Sequence, residues 1–170
     1  MKPVRDAEHI LIYKDEFAYC AHPFVCRLAG GDWLVVFNEG MRRKYRLHPP
    51  NDPRFQNVMV RSTDGGRTWS PPQVVPGYDW YGVECSALTE LESGDVVLNQ
   101  WQFRWHPLDT ALKLAEREPI WFPPWGLAAD PASEVLEGER AERAARAAEL
   151  YPWARANGAA YVHISPDGGH

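Results

Sequence analysis

The chain has 170 residues, with 15 Pro, 13 Gly, eight Trp and seven Tyr. That length fits one domain, and the mix of turn formers and aromatics fits a β-rich globular protein and excludes a disordered one. A net charge of −5 gives no electrostatic footprint for nucleic acid, and no run approaches the ~18 apolar residues of a membrane-spanning helix.

The N-terminus, Met1 to Asp6, has no apolar signal-peptide core, so the chain as given reads as cytoplasmic, with export open if the true start lies upstream. Cys20, Cys26 and Cys85 are odd in number and set no disulfide framework. They lack metal-ligand spacing, so neither metal nor cofactor is expected.

Residues 9–13 form a short apolar run of strand length. Residues 23–28 and 33–38 flank Gly30-Gly31-Asp32 and predict a hairpin. Residues 39–53 are polar and Pro-rich and predict a loop. Residues 56–62 predict a strand running into Ser62-Thr63-Asp64-Gly65-Gly66-Arg67-Thr68-Trp69, and residues 73–76 a short strand after it. Asp-Gly-Gly between strand-like runs is a hairpin signal, because glycine supplies positive φ without steric cost and Asp can bond its own turn backbone. Residues 22–76 thus offer four short antiparallel strands.

The pattern then recurs. Residues 83–91, the turn at Ser93-Gly94-Asp95 and residues 96–101 repeat the hairpin, with Gly31-Asp32 and Gly94-Asp95 63 residues apart. Residues 160–164 lead into Ser165-Pro166-Asp167-Gly168-Gly169-His170, which aligns with Ser62 to Arg67. Here the spacing is about forty residues longer, so an insertion is expected at roughly 105–155. Within it, residues 108–118 predict a short helix, residues 119–124 an aromatic loop, and residues 132–150 a second helix opened by Asp130-Pro131 and stopped at Asn157-Gly158. Trp101, Phe103, Trp105, Trp121, Phe122 and Trp125 cluster there and read either as packing or as a stacking surface for sugar rings.

The Ser/Thr-x-Asp-x-Gly-x-Thr-Trp pattern of residues 62–69, and its partial copy at 165–170, resembles the Asp-box (BNR) repeat of the sialidase (neuraminidase) superfamily. The resemblance covers most of the chain outside the insertion. It implies an all-β, six-bladed propeller of which two blades are present, about 19–76 and 83–170. The rest of the propeller is then expected outside this chain. Ser62, Asp64, Gly66, Trp69, Ser165, Asp167 and Gly169 would be architecture, remote from any catalytic face.

The resemblance further implies an exo-acting glycoside hydrolase with a carbohydrate substrate, or else a non-catalytic propeller that binds glycans or proteins. Family catalysis uses an acid/base Asp, a Tyr nucleophile with a Glu, and three arginines on a carboxylate. The stretch matching the first arginine motif, Phe17 to Pro23, has Ala21 or Cys20 at the arginine position, and His22 is the cation candidate there. Phe37-Asn38-Glu39-Gly40-Met41-Arg42-Arg43 resembles the following Phe-Ala-Glu-Gly-Arg motif. Asp52 stands near the expected acid and reads equally as a turn cap in Asn51-Asp52-Pro53. Glu39, Arg42, Arg43, Arg54, Glu84 and His22 are the candidate substrate ligands. The nucleophile and the later arginines fall outside the chain, so no turnover is expected from it alone.

Overall fold

The structure is a computed structural model that describes residues 7–42, 52–76, 81–121 and 153–170. Two antiparallel sheets follow one another along the chain. The first contains β1 (Ala18–Arg27), β2 (Trp33–Met41), β3 (Gln56–Ser62) and β4 (Gln73–Val74), paired in that order. The second contains β5 (Tyr81–Glu90), β6 (Val96–Pro107) and β7 (Trp153–Ser165), with the short helix α1 (Leu108–Leu114) leaving β6.

The 63-residue repeat is visible in the backbone. In the β1–β2 turn, Leu28 N donates to Asp32 O at 2.8 Å and Gly31 N to Leu28 O at 2.9 Å. In the β5–β6 turn, Leu91 N donates to Asp95 O and Gly94 N to Leu91 O, both at 2.9 Å. The first strand of each sheet also carries one extra residue at the same offset. Ala21 pairs with Asn38 and Phe24 with Val36; Glu84 pairs with Trp101 and Ala87 with Asn99. Each is a β-bulge, which bends the strand and re-aims its side chains.

Alternation along the strands sends one face of each sheet toward the other. Leu34 and Val36 of the first sheet pack there with Leu88, Val96 and Leu98 of the second, and Leu28 and Val75 close the cluster. The outer face of the first sheet, Val35, Phe37, Val58 and Val60, is covered by Ile12, Tyr13 and Trp69. On the outer face of the second sheet, Val162 is 65% and Ile164 63% exposed.

The two aspartate turns lie at one end of the sheets, beyond the Trp33↔Ser62 and Val96↔Ser165 pairs. Ser62 Oγ donates to Asp64 Oδ1 at 2.8 Å and accepts from Gly66 N at 2.8 Å. Asp64 also accepts from Arg67 N, Thr68 N and Thr68 Oγ1. Gly65 and Gly66 have φ of +75° and +90°, and Gly66 lies against the rings of Trp33 and Trp69. The second turn repeats this: Ser165 Oγ donates to Asp167 Oδ1, Gly169 N to Ser165 Oγ, and His170 N to Asp167 Oδ1. Arg61 ties the sheets at this end, bonding Asp32 Oδ2 at 2.7 Å and the carbonyl of Gly168.

Three expectations change. Residues 9–13 pair with no strand among the described residues; their Ile12 and Tyr13 side chains instead dock on the first sheet. The insertion is shorter than 105–155, because β6 continues to Pro107 and β7 begins at Trp153, extending the hairpin past Trp101. Asn157-Gly158 therefore lies inside β7 and stops no helix. Gly158 is required there by close approach, since a Cβ would sit 2.6 Å from the Gln102 carbonyl oxygen. The helix expected over 132–150 lies outside the described residues. No helix among the described residues is long and apolar enough to cross a membrane.

Candidate functional site

At the end opposite the aspartate turns, the chemistry between the sheets changes. Counting by twos along β2, apolar Leu34 and Val36 are followed by Asn38. Along β6, Val96 and Leu98 are followed by Gln100 and Gln102. All three amide side chains are 3% exposed or less. Burying an amide is costly unless its hydrogen bonds are made; the Gln102 amide has no hydrogen-bond partner among the described residues, whereas Asn38 and Gln100 join through Asn57 in a continuous relay. His22 Nδ1 bonds Asn38 Oδ1 at 2.9 Å, and Asn38 Nδ2 donates to Asn57 Oδ1 at 2.6 Å. Asn57 Nδ2 donates to Gln100 Oε1 at 2.7 Å, and Gln100 Nε2 reaches His163 Nε2 at 2.8 Å. The relay runs from the first strand of the first sheet to the last strand of the second.

His22 occupies the β1 bulge with φ of +50°, alone among the described non-glycine residues in having positive φ. Such a conformation costs ~1–3 kcal/mol and persists only where surrounding contacts impose it. Its other ring nitrogen, Nε2, lies 3.8 Å from Glu84 Oε1. Glu84 is 4% exposed and sits at the matching bulge of β5. The two bulges thus set an imidazole against a buried carboxylate, and sequence alone named both residues without showing that they meet.

The remaining candidates fall elsewhere. Glu39 follows Asn38 on β2, so it points to the other face of the first sheet. There it accepts from Tyr13 Oη at 2.5 Å and Gln56 Nε2 at 3.2 Å. The Tyr13 phenol is pushed above its ordinary range, first by that bond and then by burial. Glu39, Arg54, Asp15, Phe17, Met41 and Gln56 line an open hollow of about 430 Å³. Arg54 contacts Met41 Sδ, and Arg42 bonds the carbonyl of Glu16.

Asp52 is fully buried, and its Oδ1 accepts from Arg54 N at 3.0 Å, the bond of a turn cap. Arg43 lies outside the described residues. Of the insertion aromatics, Trp105 is 2% exposed and serves packing. Trp101 and Phe103 meet edge to face at 5.0 Å, and Arg155 lies over the Phe103 and Trp121 rings. Burial holds the Arg155 guanidinium below its ordinary value. Phe122 and Trp125 are outside the described residues. No group of three or more His, Cys, Asp or Glu among the described residues is placed to hold a metal ion.

Asn38, Asn57 and Gln100 were missed because a polar residue in a strand usually marks the solvent face. Strand parity was the available signal for Asn38 and Gln100, which keep step with buried neighbours, whereas Asn57 keeps step with half-buried Met59 and Arg61.

No family model and no curated protein matches the chain. Among solved structures it is similar to a protein of unknown function from Dyadobacter fermentans DSM 18053. That match has 20% identity over 94% of this chain and 36% of that one, with a TM-score of 0.62. It is also similar to the Hadza microbial sialidase Hz136, at 17% identity over 50% of this chain and 18% of that one, with a TM-score of 0.41. The chain therefore spans 36% of the length of the first of these structures and shares its fold.

Proposed function

We propose that the chain supplies two blades of a sialidase-like β-propeller whose chemistry lies at the end opposite the aspartate turns, and that the whole propeller hydrolyses a terminal glycosidic bond. The observation that carries this reading is the pairing of His22 with Glu84 at matched bulges in the first strands of both sheets. Bulges concentrate beside active sites, where they re-aim side chains. The motif likeness of residues 62–69 supports the propeller, and the 63-residue repeat of turn and bulge supports consecutive blades.

Glycoside hydrolysis needs a proton donor at the leaving oxygen and groups that stabilise a cationic transition state. Asp52 is the proposed acid, with Glu39, Arg42, Arg43, Arg54, Glu84 and His22 as the proposed polar surround. Asp52 is enclosed beneath its own turn, so the reading requires that turn to open toward substrate. The absence of an arginine at residues 20–21 argues for a sugar without the sialic acid carboxylate.

A specific observation also favours a second reading, a non-catalytic glycan-binding propeller: Asp52 already serves as a turn cap. A panel of fluorogenic glycosides separates the two. The longer protein carrying these blades is expected to hydrolyse at least one member, and Asp52→Asn to abolish that activity. The 170-residue chain alone is expected to hydrolyse none. Unchanged turnover in Asp52→Asn removes Asp52 as the acid, and glycan binding without turnover by the longer protein selects the second reading.

A further inference from the structure

The buried amide relay has a direction, and the direction dictates where its protons are. Backbone carbonyls only accept hydrogen bonds. Asn38 Nδ2 reaches the Val83 carbonyl at 3.3 Å, and Gln100 Nε2 reaches the Pro76 carbonyl at 3.2 Å. The nitrogen side of both amides is therefore fixed. Asn38 must turn Oδ1 toward His22, and Gln100 must turn Oε1 toward Asn57. Asn57 satisfies both neighbours in one orientation, accepting from Asn38 and donating to Gln100. The histidines at the ends then have no choice. His22 donates from Nδ1, and His163 accepts at Nε2.

We propose that this relay is a positioning device. It holds His22 as the Nδ1–H form and reserves its Nε2, on the Glu84 side, for proton transfer to and from a hydroxyl-bearing ligand. Acting as a base, Nε2 takes the hydroxyl proton; the O–H bond breaks, an N–H bond forms, and the oxygen keeps the electron pair. The resulting imidazolium faces the Glu84 carboxylate. Acting as an acid, the same N–H returns its proton to a leaving oxygen. Nδ1 keeps its hydrogen bond to Asn38 in both states, so the relay need not rearrange when the proton moves.

His163 differs. A proton on its Nε2 sets N–H against the Gln100 N–H, so it stays a fixed acceptor while the relay holds. His22 is thus the exchanging end and His163 the anchoring end. A side chain that exchanges protons without repacking its surroundings is what acid–base chemistry requires. The relay explains why Asn38 and Gln100 occupy positions that apolar residues would fill by parity. This inference does not depend on the ligand being a sugar or on Asp52 acting as an acid.

Long-range ¹H–¹⁵N spectra of the imidazoles, recorded on the 170-residue chain, test it. Neutral His22 and neutral His163 are both expected to show the Nδ1–H pattern, the minor form for free imidazole side chains. Gln100→Glu keeps an acceptor toward Asn57 and puts a carboxylate oxygen where Gln100 Nε2 meets His163. His163 is then expected to convert to the Nε2–H pattern while His22 keeps Nδ1–H. The proposal is overturned if neutral His22 shows Nε2–H in the unsubstituted chain. It is also overturned if the variant folds and leaves His163 unchanged, or if it switches His22. Should the variant not fold, the unsubstituted spectrum decides by itself.

Discussion

The two ends of the same sheet pair follow different rules. At the turn end, residues 62–69 and 165–170 satisfy themselves locally, and the layer behind them is apolar. At the other end, four buried amides, a buried carboxylate and a histidine with positive φ replace apolar packing. The turn end agrees with every local preference of its sequence. The other end departs from several, and such departures concentrate where structure is kept for function. The difference teaches that the conspicuous motif satisfies itself locally, while the buried polar groups gather in the less conspicuous layer.

The largest break in this comparison is expected from Leu34→Ala. Leu34 is 0% exposed in the apolar layer, and Gly169 of the second turn sits against it. Removing it is expected to cost about 2–5 kcal/mol in urea unfolding, and a loss below 1 kcal/mol would show that the apolar layer does not hold the sheets. Ser62→Ala comes next. Ser62 is 1% exposed, and its hydroxyl serves both Gly66 N and Asp64. Stranding those groups is expected to cost about 1–3 kcal/mol, read as a lowered midpoint in the same experiment.

Asn57→Leu probes the polar layer. It takes from Gln100 Oε1 its Asn57 donor and from Asn38 Nδ2 one of its two acceptors, and is expected to cost about 1–3 kcal/mol. Replacing Asn38, Asn57 and Gln100 together by Leu is expected to cost less than the sum of the single changes, because none of the three then strands another. Strict additivity would mean that the three do not act as one network.

The smallest effect is a pH dependence of the turn end. Hydrogen bonds from the Thr68 hydroxyl and backbone, then Ser62, hold the Asp64 carboxyl well below the usual carboxylate range. The bond from Ser165 also lowers the pKa of the Asp167 carboxyl. A depressed carboxylate stabilises the fold above its unfolded-state range, and that contribution is lost as pH falls toward the folded value. Melting temperature is therefore expected to fall below about pH 4, and more shallowly in Asp64→Asn. Equal slopes would remove the turn as the cause.

The turns, the repeat and the antiparallel pairing were legible because their chemistry is local. Gly31, Gly94 and the Asp-Gly-Gly runs state their backbone conformation directly. Residues 9–13 were misread because an apolar run of strand length does not reveal whether it pairs or merely docks, as Ile12 and Tyr13 do. Asn157-Gly158 was misread because an in-strand glycine set by close approach has the same letters as a helix stop. Glu84 and His22 were identified one at a time. Their meeting depends on two bulges and on how the sheets pack, both non-local. Glu39 and Asn38 are neighbours in sequence yet face opposite sides of the sheet, which split a cluster that reads as one along the chain.

The division between a scaffold end and a chemical end is tested most directly by mapping simple methyl glycosides onto the ¹H–¹⁵N spectrum of the chain. Shifts are expected at residues 38–41, 54–57 and 82–84, with residues 62–69 unmoved. Shifts confined to residues 62–69, or no shift for any glycoside, would contradict that division.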